Sequence, residues 1–375
     1  MIRINDVCKS YQSDKEVLNN ISLQVEDNEL LVLLGESGCG KTTLLKLLNR
    51  LEKVSSGTIE IDGKNIYDVD EVELRKNIGY VVQHVGLFPH MTVKENIEII
   101  GKIKKSEKSV IAKKTEEVMS MVGLNPKEFL YRYPKELSGG QAQRIGVARA
   151  YATNANIILM DEPFSALDPL TRTDLQNELL FLQKKIPKTI IFVTHDIDEA
   201  VKIADRIVLL NKGKIEQVGS PRELLLNPET QYVSKFLGDK RIWKSPWLIR
   251  CADVMSDNVV TVNTDSNEEE VFELFKNDKV QTALVVDSNG RMVGKLTEKI
   301  IMRGMNKAKV KDIMKTNFDY VFKDTLLHDA VQLMNEKQVL YLPVLNENMQ
   351  PEGMINMTDL MNILDDNVLS MSVEG

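Results

Sequence analysis

The chain has 375 residues, 43% of them hydrophobic and 27% charged, and a formal net charge of −7. This length predicts two or three domains, the acidic balance argues against a nucleic-acid partner, and no apolar run reaches the roughly 18 residues of a membrane-spanning helix. The N-terminal "MIRINDVCKS" lacks the apolar core of an export signal, and the three cysteines (Cys8, Cys39 and Cys251) have no metal-ligand spacing. We therefore expect a cytoplasmic protein with reduced thiols.

Two kinds of strand pattern occur in the first half of the chain. Residues 1–66 alternate apolar and polar side chains, which is typical of antiparallel strands joined by turns. Continuous apolar runs that end in polar residues instead indicate buried parallel strands with functional groups at their carboxyl ends. These runs are "ELLVLLG" (29–35), "IGYVVQ" (78–83), "NIILMDE" (156–162) and "KTIIFVTH" (188–195). Helical patterns lie between the runs, so the sequence predicts an α/β core with a parallel sheet beside an antiparallel β subdomain.

The remaining segments complete the expected domain organisation. Residues 91–136 are mostly charged helix and predict an inserted helical subdomain, and residues 206–219 predict a terminal hairpin. Beyond a Pro-containing connector the sequence repeats itself. Each copy has a short opening segment, an amphipathic helix, two strands around a Gly-bearing turn and another helix, which predicts a pair of α+β domains. The expected bounds are a first domain over 1–238, a linker over 239–249, repeat copies over 250–306 and 307–366, and a flexible tail over 367–375.

A glycine-rich loop, "GESGCGKT" (35–42), follows the first apolar run and precedes a helical pattern. It fits the spacing G-x-x-x-x-G-K-[ST], in which glycines let backbone N–H groups curl towards phosphates at a helix N-terminus. Lys41 is expected to contact the β- and γ-phosphates, and the Thr42 hydroxyl to bind Mg²⁺. The loop residues that we expect to bind ATP are Gly35, Ser37, Gly38, Cys39, Gly40, Lys41, Thr42 and Thr43.

Polar side chains at the ends of the other apolar runs are candidates for catalysis. Asp161 suits a place near Mg²⁺, and Glu162 is placed to polarise a water that attacks the γ-phosphate. His195 is expected to contact the γ-phosphate, and Gln83 to join Thr42 and Asp161 at Mg²⁺, because the carboxyl ends of parallel strands converge. Alone, the carboxylate pair could cap a strand and the histidine could be structural, but beside the glycine-rich loop we favour catalysis.

A second glycine-rich segment, "LSGGQ" (137–141), also precedes a helical pattern. It cannot reach the same phosphates from the same side as the first loop, so the simplest arrangement is a symmetric homodimer in which it meets the ATP of the partner. The residues expected to make this contact are Ser138, Gly139, Gly140 and Gln141. Ser138 could instead serve as a helix N-cap, and both roles are compatible because an N-cap is also an anion site.

Taken together, these motifs resemble those of the nucleotide-binding subunits of ABC transporters, over residues 1–238. The glycine-rich loop is similar to the Walker A loop, "LSGGQ" to the family signature and "IILMDEP" to Walker B. "SALD" (165–168), which ends in Asp168, is similar to the D-loop. The resemblance implies that His195 is the switch histidine and that Tyr11 stacks on adenine.

The repeat copies resemble a tandem pair of CBS domains. An ABC ATPase followed by such a pair is similar to the energy-coupling subunit of importers of quaternary amines such as glycine betaine, carnitine and choline. The resemblance implies a homodimeric ATPase on the inner face of the cell membrane that uses ATP and Mg²⁺. It also implies integral membrane permease subunits, whose coupling helix meets the region of Gln83, and an extracytoplasmic substrate-binding protein or domain that acts indirectly.

The resemblance to these importers implies that cyclic di-AMP acts as a regulator at the interface of the CBS dimer. Tyr341 is expected to stack on an adenine there, and Val280 and Thr282 begin the matching strand of the first copy. The second copy keeps Asp359 at a ribose-binding position, where the first copy has Ile300. Core packing of these residues, ionic-strength sensing, and a CBS pair that only dimerises remain open alternatives.

We therefore expect a transport ATPase for uptake of a betaine-type solute. A different betaine-like amine, such as ergothioneine, remains an alternative substrate. An ABC ATPase that acts on nucleic acid or ribosomes is disfavoured, because only residues 84–136 separate Gln83 from the signature, without sustained heptads, and one ATPase cassette is present.

Overall fold

Alternation along the first 66 residues builds a four-stranded antiparallel sheet. The computed structural model describes residues 1–12, 15–83, 86–153, 155–165, 167–238, 242, 245–277, 282–301 and 309–361. The sheet has the order β2-β1-β4-β5, and its strands are β1 (Ile2–Gln12), β2 (Lys15–Val25), β4 (Ser56–Ile61) and β5 (Lys64–Asn65). Its apolar positions, such as Ile2, Ile4 and Val7, are buried in a core shared with the neighbouring sheet. The polar positions between them face outwards, as a half-covered antiparallel sheet requires.

The four continuous apolar runs form the predicted parallel core. The sheet has the order β10-β9-β3-β8-β7-β6. Its strands are β3 (Leu30–Leu34), β6 (Ile78–Val81), β7 (Ile157–Asp161), β8 (Thr189–Val193), β9 (Arg206–Asn211) and β10 (Lys214–Gly219). β3, β7 and β8 are buried at all five positions, because a parallel strand is covered on both faces. The predicted α/β class is confirmed.

The hairpin predicted over 206–219 is present, but its first strand also extends the core. β9 pairs in parallel with β3, and only β10 runs antiparallel. The apolar run of β9 is buried, so pairing with β3 covers surface that an isolated hairpin would leave in water. The turn also ties two regions together: the Gly213 carbonyl accepts from the Asn19 N–H (2.8 Å), and the Gly213 N–H donates to the Cys39 carbonyl (3.1 Å).

Helices cover the core sheet and form the predicted helical subdomain. They are α1 (Lys41–Leu48), α2 (Glu71–Lys76), α3 (Val93–Ile103), α4 (Lys108–Met121), α5 (Pro126–Phe129), α6 (Gly139–Ala152), α7 (Pro169–Lys185), α8 (Ile197–Ile203), α9 (Pro221–Leu226) and α10 (Gln231–Leu237). Sequence-encoded caps start several of them. Thr92 and Glu95 close a capping box at α3, and Ser220 and Glu223 do the same at α9, so orphan N–H groups of each first turn are satisfied.

The C-terminal half folds as two copies of one three-stranded unit. The first copy contains β11 (Thr261–Asn263), α11 (Glu268–Asn277), β12 (Thr282–Val286), β13 (Met292–Thr297) and α12 (Glu298–Ile301). The second contains α13 (Val310–Ile313), β14 (Val321–Phe322), α14 (Leu327–Lys337), β15 (Tyr341–Leu345) and β16 (Pro351–Asn356), and residues 357–361 begin another helix. The sheet orders β11-β12-β13 and β14-β15-β16 match, with one parallel and one antiparallel pair in each.

The two copies are joined by an exchange of opening segments. Lys315, in the opening segment of the second copy, forms a pair of 2.9 Å backbone hydrogen bonds with Lys295 on β13 of the first. Ser256, in the opening segment of the first copy, pairs in the same way with Met354 on β16 of the second, at 2.9 and 3.0 Å. Because each copy completes the edge of the other's sheet, the repeat forms one structural unit rather than two separable domains.

The strand turns of the two copies differ, and the Gly-bearing turn predicted for both is wrong for the second. Gly290 occupies the left-handed position of the first turn (φ 77), whereas Met349 occupies it in the second (φ 64). A neighbouring contact stabilises this conformation: the Met349 carbonyl accepts from the Met292 N–H of the first copy at 2.8 Å. Packing between the copies therefore replaces the usual sequence requirement for glycine.

The chain divides into two compact units, Met1–Asp239 and Lys240–Gly375. Part of the predicted linker over 239–249 and the whole predicted tail over 367–375 lie outside the described residues, so those bounds stay predictions. Within the described part of the chain, no helix is both long and apolar enough to cross a bilayer.

Two glycine-containing hairpin turns of the first unit, β4–β5 and β9–β10, provide a matched test of the Gly213 contact. Gly63 and Gly213 both have positive φ (74 and 79), but an added Cβ meets open space at Gly63 and lies 2.5 Å from the Val17 carbonyl oxygen at Gly213. Gly63→Ala is expected to cost about 1–2 kcal/mol of unfolding free energy, from left-handed strain alone. Gly213→Ala is expected to cost about 1–3 kcal/mol more, because the backbone must shift. Urea unfolding measures both, and equal losses would contradict the proposed contact.

Candidate functional site

The glycine-rich loop connects the buried strand β3 to helix α1. Gly40 has φ 109 and is the N-cap of α1. A Cβ at this position would lie 2.5 Å from Leu18 Cδ2 and 2.9 Å from the Val17 carbonyl oxygen, so β2 leaves room only for glycine. The turn thereby presents the N-terminus of α1, with its unpaired N–H groups and positive dipole end, to a cavity of about 680 Å³.

Lys41 brings a positive charge to this cavity. The residue is 5% exposed, and its Nζ donates to the carbonyls of Gly35 (2.6 Å) and Glu36 (2.8 Å). Carbonyl partners satisfy the ammonium group without neutralising it, so a positive charge remains available to an anion.

Thr42 and Asp161 form a second polar contact beside the loop. The Thr42 hydroxyl donates to the Asp161 carboxylate at 2.8 Å. Burial raises the pKa of Asp161 above its ordinary value, and the hydrogen bond from Thr42 opposes that shift. A hydroxyl and a carboxylate are the oxygen donors that Mg²⁺ takes from a protein when phosphates and waters supply its other ligands, so this pair fits that ion.

Gln83, Glu162 and His195 converge at the ends of three different strands. Gln83 Nε2 donates to Glu162 Oε2 at 3.1 Å, and His195 Nδ1 lies 3.3 Å from Glu162 Oε1. The Glu162 backbone has φ 44, and its N–H donates to the Val193 carbonyl on β8 at 3.0 Å. A left-handed residue at a strand end turns its side chain out of the sheet and into the cavity, an arrangement typical of functional sites.

The structure brings most of the predicted ATP and catalytic residues to one cavity. Its described lining residues are Val17, Gly35, Glu36, Ser37, Gly38, Gly40, Lys41, Thr42, Thr43, Gln83, Glu162, His195 and Phe236. Cys39 and Tyr11 are not among them. Cys39 is buried behind the loop, 3.8 Å from Lys41 Nζ. Tyr11 is 52% exposed, and Lys9 Nζ lies 4.7 Å from its ring centroid.

Two apolar lining residues, Val17 and Phe236, were missed by sequence reasoning. Val17 lies on β2 beside the glycine-rich loop, and Phe236 comes from α10, near the end of the first unit. Neither residue belongs to a recognisable motif. Only the fold brings them to the phosphate site.

The signature segment lies outside this set of lining residues. Ser138 is the exposed N-cap of α6, where its Oγ accepts from the Gln141 N–H (3.3 Å) and its own N–H donates to Gln141 Oε1 (3.0 Å). Gly139 is exposed, and an added Cβ there would meet open space. Asp168 caps α7, and hydrogen bonding with Thr171 lowers the pKa of its carboxyl. The N-terminus of α6, a kind of helix end that suits an anion, is thus exposed at the surface.

Helix α6 also contacts the segment that follows Gln83. Arg149, near its C-terminal end, donates through Nη1 to the Gly86 carbonyl at 2.8 Å. One helix therefore begins at the signature segment and is hydrogen-bonded, near its other end, to the segment that follows Gln83.

In the C-terminal unit the candidate residues have different environments. Thr282 is 5% exposed and its hydroxyl has no hydrogen-bond partner among the described residues. Tyr341, at the matching position of the second copy, is half-buried, with Lys295 Nζ 5.5 Å from its ring centroid. Asp359 is exposed on the helix over 357–361, and Ile300 is half-buried. Val280 lies outside the described residues.

Comparisons with known proteins agree with this architecture. The ABC transporter family model matches residues 18–165, and the CBS domain model matches residues 251–307 and 310–366. A solved structure, described as the dimeric structure of MJ0796, a bacterial ABC transporter cassette, has a TM-score of 0.54 and 34% identity, and covers 59% of this chain and 99% of that chain. The fold and the site thus define an ABC-type ATPase that binds ATP and carries a pair of CBS domains.

The similarity to individual relatives extends over nearly the full length of both chains. The glycine betaine/carnitine/choline transport ATP-binding protein OpuCA of Bacillus subtilis is 42% identical over 370 residues, 98% of this chain and 97% of that protein. The carnitine transport ATP-binding protein OpuCA of Listeria monocytogenes is also 42% identical over 370 residues, 98% and 93% of the two chains. The chain belongs to the family of ABC transporter ATP-binding proteins that these relatives represent, which confirms the family predicted from the sequence.

Removal of the Lys41 ammonium tests the phosphate site. Lys41→Ala is expected to lower ATP affinity about tenfold or more, because it removes a charge-assisted contact to phosphate. Equilibrium titration with ATP measures the change. Lys214→Ala, which removes an exposed lysine from β10, is the matched control. Equal affinities for both variants would count against the role of the loop.

Proposed function

We propose that this protein is the ATPase subunit of a membrane importer of quaternary-amine solutes of the betaine, carnitine and choline type. Near full-length identity of 42% to relatives named for transport of those solutes supports the solute class. The observation that carries the ATPase mechanism is the convergence of Gln83 and His195 on the Glu162 carboxylate. Solute selectivity then belongs to the permease and the substrate-binding protein, since the described cavity suits a nucleotide.

The residues of the cavity have different roles in ATP hydrolysis. The Lys41 ammonium and the backbone N–H groups at the start of α1 hold the β- and γ-phosphates, and neutralise charge that develops during transfer. Thr42 and Asp161, with Gln83, hold Mg²⁺, which screens the phosphate charge when bound. The Glu162 carboxylate accepts a hydrogen bond from the attacking water and polarises it. His195 contacts the γ-phosphate and, with Gln83, orients the Glu162 side chain.

A symmetric dimer accounts for the exposed signature segment. Ser138 and Gly139 lie outside the set of residues that line the cavity of their own chain, yet they begin a helix whose N-terminus suits an anion. In the dimer they contact the γ-phosphate bound by the partner, and Asp168 lies near the same interface. ATP closes the dimer because both subunits contact it, and hydrolysis opens the dimer. The likeness to a cassette described as dimeric supports this arrangement.

The ATPase dimer works on the cytoplasmic face of the membrane, where each subunit receives a coupling helix of the permease near Gln83. The Arg149–Gly86 hydrogen bond would then connect the proposed permease contact to the helix that carries the signature segment. Closure of the dimer on ATP thereby changes the conformation of the permease, and opening of the dimer after hydrolysis restores the first conformation.

The CBS pair regulates this cycle by binding cyclic di-AMP between two copies of the C-terminal unit. Tyr341 offers a half-buried aromatic face, and Lys295 beside it offers a positive charge to a phosphate. The unpartnered Thr282 hydroxyl is a further polar group available to a ligand. Binding of the dinucleotide lowers the rate of uptake when the solute is already abundant.

Glu162→Gln tests the catalytic base. The neutral amide keeps the size of the side chain but polarises water poorly, so ATP binding should persist while hydrolysis falls about 100-fold or more. The ATP-bound dimer should then accumulate, which size-exclusion chromatography with ATP detects. Glu116→Gln, on the exposed face of α4, is the control. An unchanged turnover rate in Glu162→Gln would remove this residue from the mechanism.

Tyr341→Ala tests the regulatory site. Loss of a base-stacking ring should weaken cyclic di-AMP binding about tenfold or more, whereas Tyr341→Phe, which keeps the ring, should retain it. Calorimetric titration of cyclic di-AMP into the full chain measures both variants. If Tyr341→Ala binds cyclic di-AMP as tightly as the unchanged protein, the ring serves only in packing. If the unchanged protein does not bind cyclic di-AMP either, the role of the CBS pair is dimerisation or salt sensing.

A further inference from the structure

The cavity of the first unit has an apolar portion that the motif residues do not explain. Gln83, Glu162, His195 and the glycine-rich loop supply polar groups that suit a triphosphate and its attacking water. Among the described lining residues, Val17 and Phe236 carry the hydrophobic side chains. A nucleoside has flat apolar faces that pack against aliphatic and aromatic groups, so these two residues suit the other half of ATP.

Phe236 is carried by a packed helix rather than by a free loop. Val233 and Leu237 anchor α10 with 0% and 2% exposure. Thr230 caps the helix, since its side-chain oxygen accepts from the Val233 N–H at 3.2 Å. Anchoring of this kind fixes the direction of the neighbouring side chains before a ligand arrives, which lowers the entropic cost of contact.

The connection before α10 is fastened to the core sheet. The side chain of Gln217, buried on β10, donates to the Asn227 carbonyl and accepts from the Glu229 N–H, both at 3.0 Å. β10 is the edge strand whose hairpin turn contacts the glycine-rich loop through Gly213 and Cys39. The position of α10 is therefore set by the same hairpin that contacts the phosphate site.

Tyr232 supports the Phe236 ring from one helical turn away. The two ring centroids are 5.9 Å apart, with planes inclined by 25°, a stacked arrangement. Burial raises the pKa of Tyr232, and the carboxylate of Glu36 in the glycine-rich loop raises it further. The aromatic pair thus extends from the loop to the cavity wall.

We infer that Phe236 is a nucleotide-binding residue, which contacts the nucleoside half of ATP while the glycine-rich loop holds the triphosphate. The inference rests on the ATP site of the proposed function. It adds an aromatic contact to the one expected of Tyr11, whose ring is exposed and faces Lys9. α10 ends at Leu237, two residues before the boundary of the first unit at Asp239.

The test compares ligands with and without a nucleoside on the full-length protein. Phe236→Ala is expected to weaken ADP binding about tenfold and to leave the affinity for inorganic tripolyphosphate unchanged. KM for ATP should rise by a similar factor while kcat is retained, because the contact is the same in ground and transition states. Phe236→Tyr should keep ADP affinity. Phe181→Ala, which removes a 51% exposed ring from α7, is the matched control.

Two outcomes would overturn the inference. One is unchanged ADP affinity in folded Phe236→Ala, and the other is an equal loss for ADP and tripolyphosphate, which would indicate a disturbed loop. If Phe236→Ala fails to fold, Phe236→Leu removes the ring but keeps apolar volume, and normal ADP affinity in that variant would again overturn it. If instead the cavity is not an ATP site at all, Lys41→Ala would also retain its ATP affinity. This result distinguishes failure of the proposed function from failure of the Phe236 inference alone.

Discussion

The ATPase site depends on the parallel pairing of four strands. β3 pairs with β8, β8 with β7 and β7 with β6, so the residues that follow these strands meet at one edge of the sheet. The backbone hydrogen bonds are satisfied inside a layer that is buried at every position except Tyr80, which makes the register costly to change. Because of this pairing, Gln83, Glu162 and His195 lie within hydrogen-bond reach although they are distant in sequence.

The electrostatics of the site follow from this burial. Lys41 is held by neutral carbonyls, and the Asp161 carboxyl has a raised pKa because the sheet excludes water from it. Lys46 and Lys41 act on the Asp161 carboxylate from a distance, and a buried charge without a close counter-ion is unfavourable. In the proposed ATP complex, the phosphate chain would supply a negative charge to Lys41, and the magnesium ion would supply a positive charge to Asp161. Ligand binding would then also relieve this imbalance.

The C-terminal unit is held by a different constraint, the exchange of opening segments between its copies. Reciprocal backbone pairing of Lys295 with Lys315, and of Ser256 with Met354, makes the two copies geometrically equivalent. Their side chains are not equivalent, since Thr282 in the first copy matches Tyr341 in the second. A pseudo-symmetric scaffold with unlike side chains presents two different surfaces to ligands and partners.

The buried strands, the N-cap at Ser138, the glycine-rich loop and the polar residues at the strand ends were all predictable from the sequence, because they depend on local periodicity, spacing and backbone freedom. The sequence also determined the family and the internal repeat. Three features became visible only in the folded chain: β9 joins the core sheet, Met349 takes a turn position usual for glycine, and Val17 and Phe236 line the cavity beside the phosphate loop. Each of these results depends on contacts between segments far apart in the chain. Such contacts arise from packing, and no pattern among neighbouring residues records them.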